Sequence, residues 1–293
     1  MRAFVFPGQG SQKVGMDAGL PRRRFEEADR ALGFPLSKII AEGPESELVK
    51  TANTQPAILT VSMACADLLT DRGIFADVAA GHSLGEYSAL VYAGALGFAD
   101  AVHLVHLRGR FMQEAVPEGV GAMAAIVGLA SADVAAVCVE ASVGDDACQP
   151  ANLNGGGQVV IAGHKAAVER AMAACKARGA KLVKALPVSA PFHSRLMAPA
   201  QARLGDALAG VDVATLRIPV VANVDAKANQ DAGKVRGLLI DQVTGSVRWE
   251  ESLGELVRLG VDEAYEVGPG AVLAGLMKRA APTIKMMPLQ GVG

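Results

Sequence analysis

The stretch Val78-Ala79-Ala80-Gly81-His82-Ser83-Leu84-Gly85-Glu86-Tyr87-Ser88-Ala89-Leu90 constrains this chain more than any other. Val78–Ala80 is a short apolar run with the character of a buried strand. From Leu84 the apolar spacing turns helical, with Leu84, Tyr87, Ala89 and Val91 available to pack. Gly81 and Gly85 bracket Ser83 as G-x-S-x-G, the strand–turn–helix pattern of a nucleophile elbow. Glycine permits the tight turn and lets helix pack close on strand. Such a turn exposes the Ser83 hydroxyl at a helix N-terminus, whose unpaired N–H groups can stabilise a developing oxyanion. Over five residues, a serine that merely caps a helix in a glycine-rich loop reads the same way.

The rest of the composition narrows the class. The 293 residues suffice for one large domain with a smaller one inserted. Hydrophobic residues make up 51%, enough for a sizeable core and against disorder. A net charge of −2 gives no reason to expect nucleic acid or a membrane surface. No apolar run approaches the ~18 residues of a membrane span. Met1-Arg2-Ala3-Phe4-Val5-Phe6-Pro7 has too short an apolar core for a signal peptide, so a cytoplasmic location is expected. Cys65, Cys138, Cys148 and Cys175 show no C-x-x-C spacing and read as isolated buried thiols, neither a disulfide framework nor a zinc site.

Strands are expected at Phe4–Phe6, Val78–Ala80, Pro219–Asn223 and Glu263–Val267, alternating with helices, which implies a largely parallel sheet. Asn53 or Thr54 is placed to cap a long helix ending near Gly73, and Phe98 to about Ala115 reads as another, with Phe111 and Met112 among its apolar positions. Pro7-Gly8-Gln9-Gly10-Ser11-Gln12 is a turn at a strand end. Its G-Q-G lacks the third glycine of a dinucleotide fingerprint, since residue 13 is lysine. From about Gly121 the grammar changes. Met123–Leu129, Ala151–Leu153, Gln158–Ala162 and Lys181–Leu186 read as strands, and Ser131–Ser142, capped by Ser131, and Lys165–Arg178 as helices. Asn154-Gly155-Gly156-Gly157 is a hairpin signal. The order βαββαβ is ferredoxin-like. The expected fold is thus α/β: a larger α/β-hydrolase-like domain over 1–119 and 190–293, with a small ferredoxin-like domain at 120–189. Pro187–Ser194 returns the chain to the main body, Leu196–Leu208 is helical, and Gly268-Pro269-Gly270 turns into a closing helix, Val272–Arg279.

A serine hydroxyl needs a base. His82 adjoins the serine, His164 sits at a helix start, and His103 and His106 lie three apart on one helix with no third ligand, so no metal is expected. His193, in the Pro-constrained Ser189-Ala190-Pro191-Phe192-His193-Ser194, is the best base on spacing.

Six blocks occur together and in order: Phe6-Pro7-Gly8-Gln9-Gly10-Ser11-Gln12, Gly81-His82-Ser83-Leu84-Gly85-Glu86, Arg108-Gly109-Arg110-Phe111-Met112, Gln158-Val159-Val160-Ile161-Ala162-Gly163, Ala190-Pro191-Phe192-His193 and Glu266-Val267-Gly268-Pro269-Gly270. With them the chain closely resembles the malonyl-CoA:acyl carrier protein transacylases of bacterial fatty acid synthesis, from first strand to last helix. The resemblance implies that Ser83 attacks the malonyl thioester and His193 takes its proton. It implies an oxyanion hole from the backbone N–H groups of Gln9 and Leu84, and a clamp on the malonyl carboxylate from Arg108. It places a backbone carbonyl, at Gln242, behind the histidine in place of an aspartate. Met112, Phe192, Asn152 and Asn154 are implied to line the pocket, although asparagines beside a glycine-rich turn are commonly structural. The loop around Phe192 resembles the malonyl-selective form; methylmalonyl-selective relatives carry a small residue there.

The implied partners are malonyl-CoA and holo-acyl carrier protein, with no nucleic acid, no membrane and a monomeric enzyme. No cofactor is implied, because coenzyme A leaves as product and the phosphopantetheine arm belongs to the carrier. Lys176, Arg178, Lys181 and Lys184 form a basic face that could receive an acidic carrier or simply be solvated, and the family's pair of adjacent basic residues is absent, since Leu182 follows Lys181. A serine esterase or thioesterase shares G-x-S-x-G, but a buried cation at Arg108 suits a carboxylated acyl group and would be costly in a lipid pocket. A non-catalytic scaffold would have no use for Ser83 and His193 together. A carrier of polyketide synthesis is the alternative acceptor; a freestanding chain with no ketosynthase attached favours fatty acid synthesis.

Overall fold

Arg2–Phe6 (β1) turns Phe4 and Phe6 to one side and Ala3 and Val5 to the other, and all four are fully buried. A strand apolar on both faces belongs in the middle of a sheet covered on both sides. In the computed structural model, which describes residues 1–188 and 190–289, β1 holds that place. Ser189, within the expected return segment, lies outside the described residues, as do 290–293.

Nine further strands follow among the described residues: β2 (Val78–Gly81), β3 (Gly121–Val127), β4 (Cys148–Gly155), β5 (Gln158–His164), β6 (Leu182–Ala185), β7 (Val220–Val221), β8 (Ala228–Asn229), β9 (Glu263–Glu266) and β10 (Lys285–Met287). The main sheet runs β10-β9-β1-β2-β7-β8 and is parallel except where β8 meets β7. Helices Thr51–Asp71, Leu84–Tyr92 and Phe98–Glu114 cover the Phe4/Phe6 face, and Trp249–Arg258 and Val272–Ala280 cover the other. The second sheet, β4-β5-β3-β6, is antiparallel throughout, and its chain order is βαββαβ. Helices Ser131–Ala141 and Lys165–Ala177 pack on Ala124, Ile126, Val159 and Ile161 of one face. Met123, Ala151, Val160 and Ala162 of the other face meet Leu186, Val188 and Phe192. All four cysteines are free and buried.

Three local expectations are corrected. The long helix begins at Thr51, and no side chain caps it. Asn53 Nδ2 and Thr54 Oγ1 reach back to the carbonyls of Glu47 and Leu48, because the helix starts before them. Ser131 is the first helical residue rather than the cap, which falls on Ala130. The first strand of the glycine hairpin starts at Cys148, three residues earlier than expected, because β5 pairs with it that far. The helices at Arg23–Leu32, Leu36–Glu42, Ala232–Thr244 and Trp249–Arg258 and the strand β10 add to the elements expected from sequence.

Close approaches at three glycines position the chemistry. Gly85 sits so close to β1 that a Cβ there would lie 2.0 Å from the Phe6 carbonyl oxygen, and a Cβ at Gly81 would lie 1.9 Å from the Gly85 carbonyl carbon. Gly109 plays the same part between helices: its Cβ would fall 2.5 Å from the Thr51 oxygen. Pro56 lacks the N–H that would bond Ala52, and that freed carbonyl accepts His106 Nδ1–H at 2.8 Å. Gly85→Ala must therefore part helix from strand. It is expected to lower stability by about 3 kcal/mol, the upper range for overpacking, in denaturant or thermal unfolding. Wild-type stability with intact acyl transfer would show that the close approach is dispensable.

Candidate active site

The site lies at the carboxyl ends of β1 and β2, where Phe6 pairs with Gly81. Ser83 has φ 53° and ψ −107°, a strained left-handed backbone for a non-glycine residue. Its Oγ is 2.7 Å from His193 Nε2. His193 Nδ1 is 2.8 Å from the carbonyl oxygen of Gln242, which can only accept. The proton therefore sits on Nδ1, and the Nε2 lone pair faces the serine hydroxyl. Burial, with the nearby Arg108 charge, pulls the imidazole from 6.5 down to about 3, so it is neutral and able to take a proton. Among the described residues, the backbone N–H groups of Gln9 and Leu84 have no acceptor in the protein, whereas that of Ser83 is bound to Asn223 Oδ1 at 2.7 Å.

Arg108 is 2% exposed. Its Nη1 donates to Gln55 Oε1 at 2.8 Å, and its Nη2 donates to Gln242 Oε1 at 2.9 Å and to Ser83 Oγ at 3.2 Å. All three acceptors are neutral, and Nε is buried with no acceptor in the protein. The guanidinium carbon lies 5.3 Å from the centre of the Tyr87 ring. Burial lowers the Arg108 pKa, and the nearby Tyr87 and Glu86 oppose that. Its neighbour Arg110, by contrast, pairs at the surface with Glu114. Glu86 acts on Arg108 only across the Gln242 amide, and a desolvated cation with no carboxylate in direct contact is costly; a carboxylate presented from the serine would relieve that cost.

A cleft of about 130 Å³ opens over these groups, lined by Gln9, Met112, Asn152 and Phe192 as well as Ser83, Arg108 and His193. Gln9 Nε2 is held by Thr51 Oγ1 at 3.3 Å. Asn154 stands beside the cleft rather than over Ser83. It lies two residues further along β4, some 7 Å on at strand rise. It borders an adjoining groove and meets His82 Nε2 through its Oδ1 at 2.9 Å. That contact, and an edge-on packing against Trp249, occupies His82 away from the serine. His106 is bound to Ala52, and His164 lies beside Ala147.

Sequence reasoning missed Gln55, Glu86, Asn223 and Gln149. Gln55 and Glu86 carried a signal, each being a polar residue at a buried position of an otherwise apolar helix. Gln149 donates to the carbonyls of His193 and Thr244, a contact between distant segments that no local pattern announces.

The family model for the acyl transferase domain matches residues 3–286. The chain belongs to this family. The acyl transferase is 51% identical over 289 residues to the malonyl CoA-acyl carrier protein transacylase of Salmonella typhimurium, covering 96% of this chain and 93% of that protein. It is 46% identical over 289 residues to the Bacillus subtilis protein of the same name, covering 97% and 91%. Its structure matches that of the Coxiella burnetii malonyl CoA-acyl carrier protein transacylase with a TM-score of 0.96 at 44% identity, covering 98% and 93% of the two chains. A solved complex of a type II PKS acyl-carrier protein with its malonyl-transacylase matches at a TM-score of 0.94 and 46% identity, covering 97% and 94%.

The acyl transferase's buried His193 is expected to stay neutral as pH falls through 6.5 and to take up a proton only towards about 3. The unfolded chain protonates at the usual value, so this residue's contribution to stability is present above pH 6.5 and is lost as pH falls from there towards about 3. Histidine NMR checks this directly: a His193 titration midpoint near 6.5 in the folded protein would contradict it.

Proposed function

We infer that this acyl transferase moves the malonyl group of malonyl-CoA to the phosphopantetheine thiol of an acyl carrier protein through a covalent malonyl-serine. The observation that carries the reading is Arg108: a buried cation, bound only to neutral acceptors, 3.2 Å from Ser83 Oγ. Once Oγ carries a malonyl ester, the free carboxylate lies two carbon–carbon bonds from the ester carbon, within reach of that guanidinium. A neutral acyl chain would leave the charge unpaired, which argues against a lipid esterase.

In the first half-reaction His193 Nε2 takes the Ser83 proton as Oγ attacks the thioester carbon. The N–H groups of Gln9 and Leu84 hold the oxyanion. The carbon–sulfur bond breaks, and His193 returns the proton to coenzyme A. In the second, the carrier thiol gives its proton to His193 and attacks the ester, and Ser83 recovers its hydrogen. The Gln242 carbonyl keeps the proton-bearing Nδ1 in place throughout. No cofactor of the enzyme takes part.

The small sheet has the spatial order 4-1-3-2, which supports reading residues 120–189 as a ferredoxin-like insertion in an α/β-hydrolase-like domain of 1–119 and 190–293. Lys181 and Lys184 are exposed at β6, and Leu186 just beyond lines the cleft, so the basic face suits an acidic carrier at its mouth. Among the described residues no helix is long and apolar enough to cross a membrane. We read the protein as a monomeric cytoplasmic enzyme supplying fatty acid elongation. The polyketide carrier bound by one structural relative makes that carrier class the second acceptor to assay.

Intact-mass analysis after incubation with malonyl-CoA should show one malonyl adduct on wild type and none on Ser83→Ala; an adduct forming on the variant at the wild-type rate would remove Ser83 from the mechanism. Arg108→Ala should depress malonyl transfer by about 10- to 100-fold, the worth of one charge-assisted hydrogen bond, while sparing acetyl transfer. Equal losses on the two substrates would make Arg108 structural. Phe192 lines the cleft beside His193 and also packs on two apolar clusters, one on the Phe4/Phe6 face of the main sheet and one on the Met123/Val160 face of the small sheet. If its ring excludes an α-methyl branch, Phe192→Ser should raise methylmalonyl relative to malonyl transfer by about 1–3 kcal/mol of discrimination. An unchanged ratio in a well-folded variant would leave the ring as an anchor only.

A further inference from the structure

Ser83 keeps its left-handed backbone through side chains that lie outside the elbow. Asn223, fully buried just beyond β7, closes the turn from one side. Its Oδ1 accepts the Ser83 N–H at 2.7 Å, and its Nδ2 donates to the Gly81 carbonyl at 2.7 Å. Gln242 closes it from the other, its Nε2 donating to the Ser83 carbonyl at 3.0 Å. Both are tied to one atom. Glu86 Oε2 accepts the Asn223 N–H at 2.9 Å and Gln242 Nε2 at 2.8 Å. Glu86 is 2% exposed and stands in the first turn of the helix that follows the elbow. Neither Glu86 nor Asn223 lines the cleft.

We propose that Glu86 and Asn223 are positioning residues for acyl transfer, which together lock the Ser83 backbone in the conformation that aims Oγ at His193 Nε2. The proposal rests on Ser83 being the nucleophile. Asn223 has a second effect. By consuming the Ser83 N–H it keeps that donor out of the oxyanion hole and leaves the task to Gln9 and Leu84. Glu86 acts through its oxygen as a common acceptor, so the acceptor matters more than the charge. Because Asn223 touches neither the acyl donor nor Arg108, its loss slows the chemical step for every donor alike. Misplacement of a reacting group by about 1 Å can cost on the order of 10²-fold.

The test is rapid-quench acylation of the full chain, followed by intact mass, with malonyl-CoA and with acetyl-CoA. Asn223→Ala is expected to lower the acylation rate constant about 10- to 100-fold for both donors by the same factor. The final stoichiometry and the KM for malonyl-CoA should stay at wild-type values. Glu86→Gln keeps an oxygen acceptor and should remain within a few-fold of wild type, whereas Glu86→Leu should fall to the level of Asn223→Ala. A purely structural role would lower the fraction of enzyme that acylates and leave the rate constant of the folded molecules alone. Wild-type rates in Asn223→Ala, or a raised KM with unchanged kcat, would overturn the proposal. So would equal rates in the Gln and Leu variants of Glu86, and that pair decides the matter if Asn223→Ala does not fold. Failure of the nucleophile assignment itself would show separately, as malonylation of Ser83→Ala.

Discussion

A guanidinium taken out of water and given only neutral partners is the constraint on which this site depends. Arg108 lies between the amide oxygens of Gln55 and Gln242, over the Tyr87 ring and against the Ser83 hydroxyl. Helix Phe98–Glu114 reaches that depth because Gly109 lets it touch the backbone of Thr51 and Ala52. The protein supports the charge with dipoles, and among the described residues no carboxylate lies within ion-pair distance of it.

The same charge shapes the base. His193 is buried and within the field of Arg108, and both effects keep its ring neutral. An anion paired with Arg108 would remove one of these two influences that keep the His193 ring neutral, leaving burial as the other. Gln242 joins the two halves in one residue. Its backbone carbonyl fixes the imidazole tautomer and its side-chain oxygen holds the guanidinium. An aspartate in the carbonyl's position would add a second buried charge beside Arg108; a neutral carbonyl orients the ring without it.

β4 ties the small sheet to the loops before Trp249–Arg258 and around His193. Leu153 and Ala151 exchange backbone hydrogen bonds with Val247, and Gln149 grips the carbonyls of His193 and Thr244. The small sheet thus does more than wall the cleft with Met123 and Leu186. It holds the loop carrying the base, whose own backbone is left-handed at φ 57°.

The sequence by itself determined the elbow, the alternating strands and the residues to look for at the site. Ser83 is marked by the glycines that flank it. The faces of β1 follow from side-chain alternation, the ordered blocks bring Arg108 and His193 with their implied roles, and the family resemblance adds Gln242. These signals are local or come from shared motifs, so they survive being read along a line. Only the tertiary structure decided which polar residues meet. Glu86 and Asn223 are 137 residues apart and Gln149 and Thr244 are 95 apart, and their partners are set by how the strand ends and helices pack. It also decided that Asn154 meets His82, and that helix Thr51–Asp71 begins before the residues expected to cap it. Desolvation is the physical reason. A buried polar group must find a partner wherever the fold supplies one, and the chain order does not say where that is.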